Sequence, residues 1–199
     1  MGRVTGAAVF LDRDGTLNRR PPEHRYVTAP EEFTWLPGAA QGAARLAAAG
    51  YVLTVVSNQR GVALGLVDEG VLRAVELIIQ HGLAEHGCEI EAFAYCPHDE
   101  AARCPCRKPR PGMLLRLAGQ LNLDLRRSWV IGDSESDVLA GQAAGCRIAL
   151  VGTVPRTCVP DLVAPSLDAA SELVLREDDQ LSRRVRPDPP RTPPRERGK

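Results

Sequence analysis

Short apolar runs alternate along the chain with segments in which apolar residues recur at helical spacing. A short apolar run that ends at a turn signal predicts a buried strand, and recurrence at every third or fourth position predicts an amphipathic helix. Strands that alternate with helices favour a mostly parallel sheet with right-handed crossovers. The predicted strands span residues 7–11, 51–56, 92–95, 128–132, 147–151 and 162–164, and the predicted helices span 38–49, 68–86, 111–122 and 134–144.

The rest of the pattern divides the chain into one domain and a tail. Residues 18–37 contain four prolines and mixed polarity, which is typical of a long functional loop. From Arg183 onward the chain is rich in Arg and Pro and has almost no apolar residues, so we expect disorder. We therefore predict one α/β domain over residues 1–182, with a Rossmann-like sheet flanked by helices, and a disordered tail over 183–199.

Three predicted strands run directly into side chains that bind metals or donate hydrogen bonds. Asp12 and Asp14 follow the first strand, Ser57 and Asn58 follow the second, and Asp133 follows the fourth. Ligands of open α/β sheets bind beyond the carboxyl ends of the strands. We therefore expect these five side chains to share one edge of the sheet.

Two further segments extend this group. Asp137 lies four residues after Asp133, so its carboxylate can face the same site from the next helical turn. Arg107 and Lys108 add two cations just before a predicted helix. Carboxylates can hold a hard cation and can also attack an electrophile. The set suits phosphoryl transfer, in which catalysis needs charge neutralisation and positioning.

Four motifs in this order resemble the haloacid dehalogenase (HAD) superfamily of phosphatases. They are D-R-D-G-T at 12–16, S-N-Q at 57–59, R-K-P at 107–109 and G-D-S-E-S-D at 132–137. The resemblance covers roughly residues 7–152. It implies that the protein is a Mg²⁺-dependent phosphatase that works through an aspartyl-phosphate.

The resemblance also implies a role for each motif residue. Asp12 would be the nucleophile, and Asp14 would protonate the leaving group and then activate water. Asp12, the backbone carbonyl of Asp14 and Asp133 would hold Mg²⁺, with Asp137 supporting that shell. The residues that would bind the phosphoryl group or the rest of the substrate are Ser57, Asn58, Arg107 and Lys108.

A second candidate site lies in residues 96–106. Cys96, His98, Cys104 and Cys106 form a C-x-H…C-x-C pattern. Thiolate and imidazole are ligands that Zn²⁺ prefers, and four of them close a structural site. A redox role is disfavoured because the segment has no C-x-x-C motif. A zinc loop here would order the cations that follow it, and so couple metal binding to activity.

The place of this segment before R-K-P narrows the resemblance. It is similar to the heptose bisphosphate phosphatases and the histidinol-phosphate phosphatases, which lack a large cap domain. Residues 24–27, 96–98 and 107–113 look most like the heptose branch. That branch implies removal of the C7 phosphate from D-glycero-D-manno-heptose 1,7-bisphosphate, with Arg107 reaching the sugar or its remaining phosphate.

Three features depart from the heptose pattern. The segment between His98 and Cys104 is short, Ser134 stands where Lys is frequent, and Leu64 stands where Arg is usual. We expect these departures to affect substrate fit more than the core chemistry.

Composition and charge exclude several functions. Lys plus Arg and Asp plus Glu are equal at 25 each, and only 4% of the residues are aromatic, which disfavours a nucleic-acid surface. No apolar stretch approaches the roughly 20 residues that span a bilayer, and no secretory signal is present. We expect a cytoplasmic monomer that acts on a small sugar phosphate, with neither nucleic acid nor membrane as a partner.

Two alternatives remain at this stage. A histidinol-phosphate phosphatase would need acidic contacts for an ammonium group, which Glu23 and Glu31 could supply. A zinc-stabilised binding module without catalysis would use the same fold. The loss of Asp12 or Asp14 would mark such a module, and both residues are present.

Overall fold

A six-stranded parallel sheet forms the centre of the computed structural model, which describes residues 6–22, 25–155 and 157–185. The strand order is β3-β2-β1-β4-β5-β6, and each neighbouring pair is parallel. The predicted fold class is therefore confirmed. The strands are β1 (Ala8–Leu11), β2 (Val52–Asn58), β3 (Ala92–Cys96), β4 (Trp129–Gly132), β5 (Arg147–Val151) and β6 (Leu162–Ala164).

Helices cover both faces of this sheet. Residues of α1, α2 and α5 share one apolar core with one face, and residues of α3 and α4 pack on the other face. The helices of the described residues are α1 (Ala39–Ala48), α2 (Glu69–Ala84), α3 (Gly112–Leu121), α4 (Glu135–Ala144) and α5 (Leu167–Val185), with short 3-10 helices at Pro30–Glu32 and Leu125–Arg127.

Strand β1 shows why the sheet is covered on both sides. Its four residues are completely buried. Val9 and Leu11 belong to the core under α1, α2 and α5, whereas Ala8 and Phe10 belong to the core under α3. Side chains alternate between the faces of a strand, so an uninterrupted apolar run requires two apolar layers around it.

The strand order creates a crevice at the carboxyl end of β1. From β1 the chain proceeds to β2 and β3 on one side, and β4 then returns to pair with β1 on the other side. This reversal is the topological switch point at which open α/β sheets bind their ligands. The residues that follow β1 and β4 therefore meet beside a gap between the two connections.

One element of the fold was not predicted from the hydrophobic pattern. Helix α5 spans Leu167–Val185 and so ends three residues beyond the predicted domain boundary at 182. An ion pair one helical turn apart, between Arg183 and Asp179 at 2.8 Å, supports this extension. The rest of the predicted tail lies outside the described residues, as does Glu23 in the loop after β1. No described helix is both long enough and apolar enough to cross a membrane.

Gly42 offers a test of how closely α1 and α5 pack. A Cβ added to Gly42 would lie 2.8 Å from the Leu167 carbonyl oxygen and 2.9 Å from the Asp168 Cα. We expect Gly42→Ala to lower the free energy of unfolding by about 1–2 kcal/mol, because the cost of overpacking exceeds the gain in helix propensity. Urea unfolding would measure the change.

Gly119 provides the matched control for this prediction. It lies in α3, and a Cβ added there would meet nothing within 4 Å. Gly119→Ala should therefore gain about 0.5–1 kcal/mol from helix propensity alone. Equal effects of the two substitutions would contradict the close packing of α1 against α5.

Candidate active site

Asp12 and Asp133 meet at the switch point because β1 and β4 are neighbours. The Asp12 amide donates a hydrogen bond of 2.9 Å to the carbonyl of Ile131 and so continues the pairing of the two strands. Asp12 is only 5% exposed. One carboxylate oxygen from each of Asp12, Asp133 and Asp137 falls within a cluster less than 4.8 Å across. The structure thus gathers three of the four predicted acidic residues.

Two glycines make room for this cluster. A Cβ at Gly15 would lie 1.8 Å from an Asp133 carboxylate oxygen, and the φ of Gly15 is +100°. A Cβ at Gly132 would lie 2.3 Å from the Asp137 carboxyl carbon. Any side chain at either position would displace a carboxylate, so both glycines are required for the site.

Asp137 is held in place by the first turn of α4. Its Oδ2 accepts hydrogen bonds from the Ser134 amide at 3.1 Å and the Ser134 hydroxyl at 2.5 Å. Ser134 and Asp137 form a capping box, which satisfies amides that the helix start would otherwise leave unpaired. Ser134, which stands where the heptose pattern has Lys, therefore orients one of the acidic residues.

Lys108 provides the central positive charge. Its Nζ donates hydrogen bonds to Asp12 Oδ1 at 2.7 Å, Asp137 Oδ1 at 2.5 Å and the Val56 carbonyl at 2.9 Å. All three donor positions of the ammonium group are thus occupied. Burial opposes the charged form of Lys108, but the two carboxylates outweigh burial and raise the pKa of Lys108.

Asn58 fixes the backbone that carries Lys108. The Asn58 Nδ2 donates to the Lys108 carbonyl, the Lys108 amide donates to Asn58 Oδ1, and both distances are 3.0 Å. The two polar ends of Asn58 are therefore engaged with the backbone rather than free for a phosphoryl group. Asn58 lines the cavity, and here it acts as a positioning residue for Lys108.

Asp14 lies in a separate network that the motif alone did not reveal. Its carboxylate accepts hydrogen bonds from Arg13 at 2.9 Å, Asn18 at 2.9 Å and Gln59 at 3.0 Å. Burial opposes ionisation of Asp14, but Arg13 and these hydrogen bonds lower its pKa. Gln59 also donates to the Ser57 hydroxyl at 2.9 Å and so joins the first two motifs. Arg13 and Gln59 are site residues that the sequence reasoning missed.

The acidic cluster carries more negative charge than Lys108 can balance. Burial raises the pKa of Asp12 to about 7, and the nearby Asp137 and Asp133 carboxylates raise it as well. Burial likewise raises the pKa of Asp133. Arg20, in the loop after β1, donates from two of its nitrogens to the two oxygens of Asp133. A concentration of carboxylate oxygens with surplus charge is what a divalent hard cation requires.

A cavity of about 550 Å³ opens above these groups. Asp12 and Asp14 line it together with Ser57, Arg107 and Lys108. Arg107 lies within 3.5 Å of Glu100 and 3.4 Å of the His98 carbonyl oxygen. The loop after β1 contributes part of the wall with Arg20, Pro21, Pro22, Arg25 and Tyr26.

The remaining sequence candidates lie elsewhere. Glu31 is exposed on the short 3-10 helix and does not line this cavity. Leu64 is 46% exposed in the turn after β2. Neither residue contributes to the cavity wall in the described structure.

The predicted cysteine and histidine residues form one compact cluster. The sulfur atoms of Cys96, Cys104 and Cys106 are 3.3–3.5 Å apart, and His98 Nδ1 lies 3.3 Å from Cys106 Sγ and 3.7 Å from Cys96 Sγ. No disulfide joins these cysteines. Four ligands at about 2.0–2.3 Å from a central Zn²⁺ in tetrahedral geometry would be separated by roughly 3.3–3.8 Å. The donor set and its spacing therefore fit a structural zinc ion.

The comparisons with known proteins agree with this arrangement. A sequence model of the HAD-hydrolase-like family matches residues 105–170. The D-glycero-beta-D-manno-heptose-1,7-bisphosphate 7-phosphatase of Pasteurella multocida is 38% identical over 143 residues, which are 69% of this chain and 76% of that protein. The phosphatase of the same name from Photorhabdus laumondii is 34% identical over 188 residues, which are 90% of this chain and 95% of that protein.

Solved structures give the same picture. The D,D-heptose 1,7-bisphosphate phosphatase of B. bronchiseptica, crystallised with magnesium and phosphate, superposes with a TM-score of 0.77 at 34% identity. The match covers 87% of this chain and 99% of that chain. The protein is a HAD-like hydrolase. Within that superfamily the chain belongs to the family of D-glycero-D-manno-heptose-1,7-bisphosphate 7-phosphatases.

Lys108 offers a direct test of the buried charge network. Replacing it with Met leaves Asp12 and Asp137 without their shared cation, and breaking a buried ion pair in this way costs about 3–5 kcal/mol. We expect Lys108→Met to lower the free energy of unfolding by that order in urea titrations without added metal.

The control is Arg73→Met, which removes an exposed ion pair with Glu69 on α2. Exposed pairs contribute little to stability, so its unfolding midpoint should stay close to that of the parent protein. If Lys108→Met behaved like Arg73→Met, the buried network would not stabilise the fold.

Proposed function

We propose that this protein is a Mg²⁺-dependent phosphatase that removes the C7 phosphate from D-glycero-β-D-manno-heptose 1,7-bisphosphate. The observation that carries the proposal is the buried Asp12 carboxylate at the floor of the cavity, between Lys108 and the other acidic residues. The named activity of the relatives supports the substrate and the anomer. The magnesium and phosphate in the B. bronchiseptica enzyme support the metal and the reaction class.

The carboxylate cluster fits a magnesium ion. Asp12 and Asp133 would hold the ion through oxygen, the backbone carbonyl of Asp14 would add a third ligand, and Asp137 would support the shell. The space that Gly15 leaves beside Asp133 keeps that carboxylate in place. Bound Mg²⁺ would neutralise charge on the phosphoryl group and on Asp12, so that two anions can approach each other.

Asp12 is the nucleophile in the first step. One of its carboxylate oxygens attacks the phosphorus, the new O–P bond forms, and the bond between phosphorus and the sugar oxygen breaks. The electron pair of the broken bond goes to the sugar oxygen, which takes a proton from Asp14. Lys108 holds Asp12 in one orientation and balances negative charge as the phosphoryl group arrives.

The second step hydrolyses the aspartyl-phosphate. Asp14, now a carboxylate, accepts a proton from water, whose oxygen attacks the phosphorus and releases phosphate and free Asp12. The hydrogen bonds from Arg13, Asn18 and Gln59 stabilise this charged form of Asp14. The first step needs Asp14 protonated, so substrate binding must weaken its pairing with Arg13.

Binding of the phosphoryl group falls to residues at the ends of β2 and of the cysteine segment. The Ser57 hydroxyl is oriented by Gln59 and lines the cavity, so it can donate to a phosphoryl oxygen. Lys108 adds charge to the same group. Arg107 lines the cavity nearer its rim and would contact the sugar or its remaining phosphate.

The cysteine and histidine cluster would hold a structural Zn²⁺. Cys106 is followed directly by Arg107 and Lys108, so an ion that orders the cluster also orders these two cations. The cluster is tied to β2 by the Gln59 amide, which donates to the Cys96 carbonyl at 2.8 Å. Folding of this loop and placement of Lys108 are thereby linked.

Phosphate release from a substrate panel tests the proposed activity. The panel contains both anomers of heptose 1,7-bisphosphate, fructose 1,6-bisphosphate, histidinol phosphate and a phosphorylated oligonucleotide, each with Mg²⁺. We expect the β anomer of the heptose to be preferred. Asp12→Asn should abolish turnover because it removes the nucleophile, and thermal unfolding should show that the variant is folded.

Other outcomes of the panel would be equally decisive. A preference for histidinol phosphate would keep the mechanism and overturn the substrate. Full activity of Asp12→Asn would refute the nucleophile. Release from none of the compounds would favour a binding module that does not catalyse.

Zinc content tests the metal cluster. We expect the purified protein to contain one zinc per chain by elemental analysis, and Cys104→Ser to lose most of it with a lower unfolding temperature and weaker activity. Cys88→Ser is the control, since the Cys88 thiol lies outside the cluster and contacts only the Leu83 carbonyl. Zinc-free protein with unchanged stability and activity would rule out the structural role.

A further inference from the structure

The basic side chains around the catalytic cavity are not all paired. Arg20 is paired with Asp133, Lys108 with Asp12 and Asp137, and Arg107 with Glu100. Two other arginines line the same cavity, Arg25 and Arg60. In the described part of the chain neither has an acidic partner within ion-pair distance.

Arg60 is the more informative of the two. It is half-buried, and its Nε is buried without a hydrogen-bond partner among the described residues. A buried donor that has no partner is costly, and in a native site it indicates a missing ligand or water. The guanidinium group borders the catalytic cavity, so a ligand in that cavity is the natural partner.

The backbone of Arg60 is held firmly. Its carbonyl accepts a hydrogen bond of 3.2 Å from the Leu64 amide, and the Ala63 amide donates to the Pro97 carbonyl at 3.1 Å. The turn that begins at Arg60 is thus connected to the cysteine segment. A fixed backbone reduces the entropy that an arginine loses when it binds an anion.

The opposite wall brings Arg25 near this turn. A Cβ added to Gly61 would lie 2.9 Å from the Tyr26 ring, so the turn and the loop after β1 are in close contact. Arg25 precedes Tyr26 and lines both this cavity and a neighbouring one of about 390 Å³. Arg25 also attracts Glu32 electrostatically, but the two do not form an ion pair.

These features fit a second anion in the cavity. Its volume of about 550 Å³ lies in the range of sites that enclose a whole small molecule, beyond a single phosphoryl group. The transferring phosphoryl group is served by Lys108 and Ser57 at the cavity floor. Arginine is the side chain best suited to bind a phosphate through two parallel hydrogen bonds.

We propose that Arg60, assisted by Arg25, binds the phosphate that is not hydrolysed and thereby selects bisphosphates over monophosphates. This inference rests on the proposed function, because it requires a substrate with two phosphates. Arg60 and Arg25 bind and orient the distal phosphate and take no part in the transfer itself.

The test compares one bisphosphate with the matching monophosphate. Arg60→Ala should raise KM for heptose 1,7-bisphosphate by about 10- to 100-fold, the effect of losing one or two charge-assisted hydrogen bonds, and leave kcat largely intact. KM for heptose 7-phosphate should hardly change. Arg60→Lys should recover part of the loss, and the inhibition constant of the product heptose 1-phosphate should weaken in parallel with KM.

Two controls separate this role from general charge effects. Arg19→Ala is matched to Arg25→Ala, because Arg19 lines only the neighbouring cavity. Arg73→Ala is matched to Arg60→Ala as an exposed arginine on α2. Arg25→Ala should shift KM for the bisphosphate in the same direction as Arg60→Ala, and the two controls should not.

The outcomes distinguish this inference from the proposed function. If the parent enzyme cleaves heptose 1,7-bisphosphate but Arg60→Ala leaves its KM unchanged, the inference fails and the proposed function stands. An equal rise of KM for both substrates also overturns the inference. If the parent enzyme prefers a different bisphosphate, the same comparison is made with that compound and its monophosphate, and a selective rise supports the inference although the proposed substrate is wrong.

Discussion

The buried ammonium group of Lys108 is the contact on which the rest of the site depends. It lies between Asp12 and Asp137, which come from different ends of the fold, and it also bonds the β2 carbonyl of Val56. Without this cation, the carboxylates that gather at the switch point would repel one another in a region that excludes water. The same contact orients Asp12, so stability and chemistry rely on one side chain.

Several elements of the fold serve to place that lysine. Asn58 at the end of β2 holds the Lys108 backbone through both ends of its amide. The cysteine and histidine cluster ends at Cys106, two residues earlier, and is connected to the turn after β2. The position of Lys108 is therefore fixed from two sides, which explains how a cluster without an evident part in the chemistry can matter to the reaction.

Much of the fold and of the site was predictable from local pattern. The six strands could be recognised because fully buried strands leave long apolar runs, and the acidic motifs because each follows such a run. Helix α5 was missed since no motif drew attention to it and its apolar stripe becomes meaningful only against α1. Arg13, Gln59 and Arg20 were missed for a related reason, since their partners Asp14 and Asp133 are identifiable only after the loops have folded.

The sequence by itself determined the architecture and the identity of the chemical groups. Apolar periodicity specifies strands and helices, and the order of motifs along those elements specifies a HAD-like phosphatase. Only the tertiary structure decided which carboxylate meets which cation. It separated Asp14, held by Arg13, from Asp12, held by Lys108, and it assigned Asn58 and Ser134 to positioning. The physical reason is that periodicity reports on burial, whereas electrostatic partners are chosen by distances across the fold that no local pattern contains.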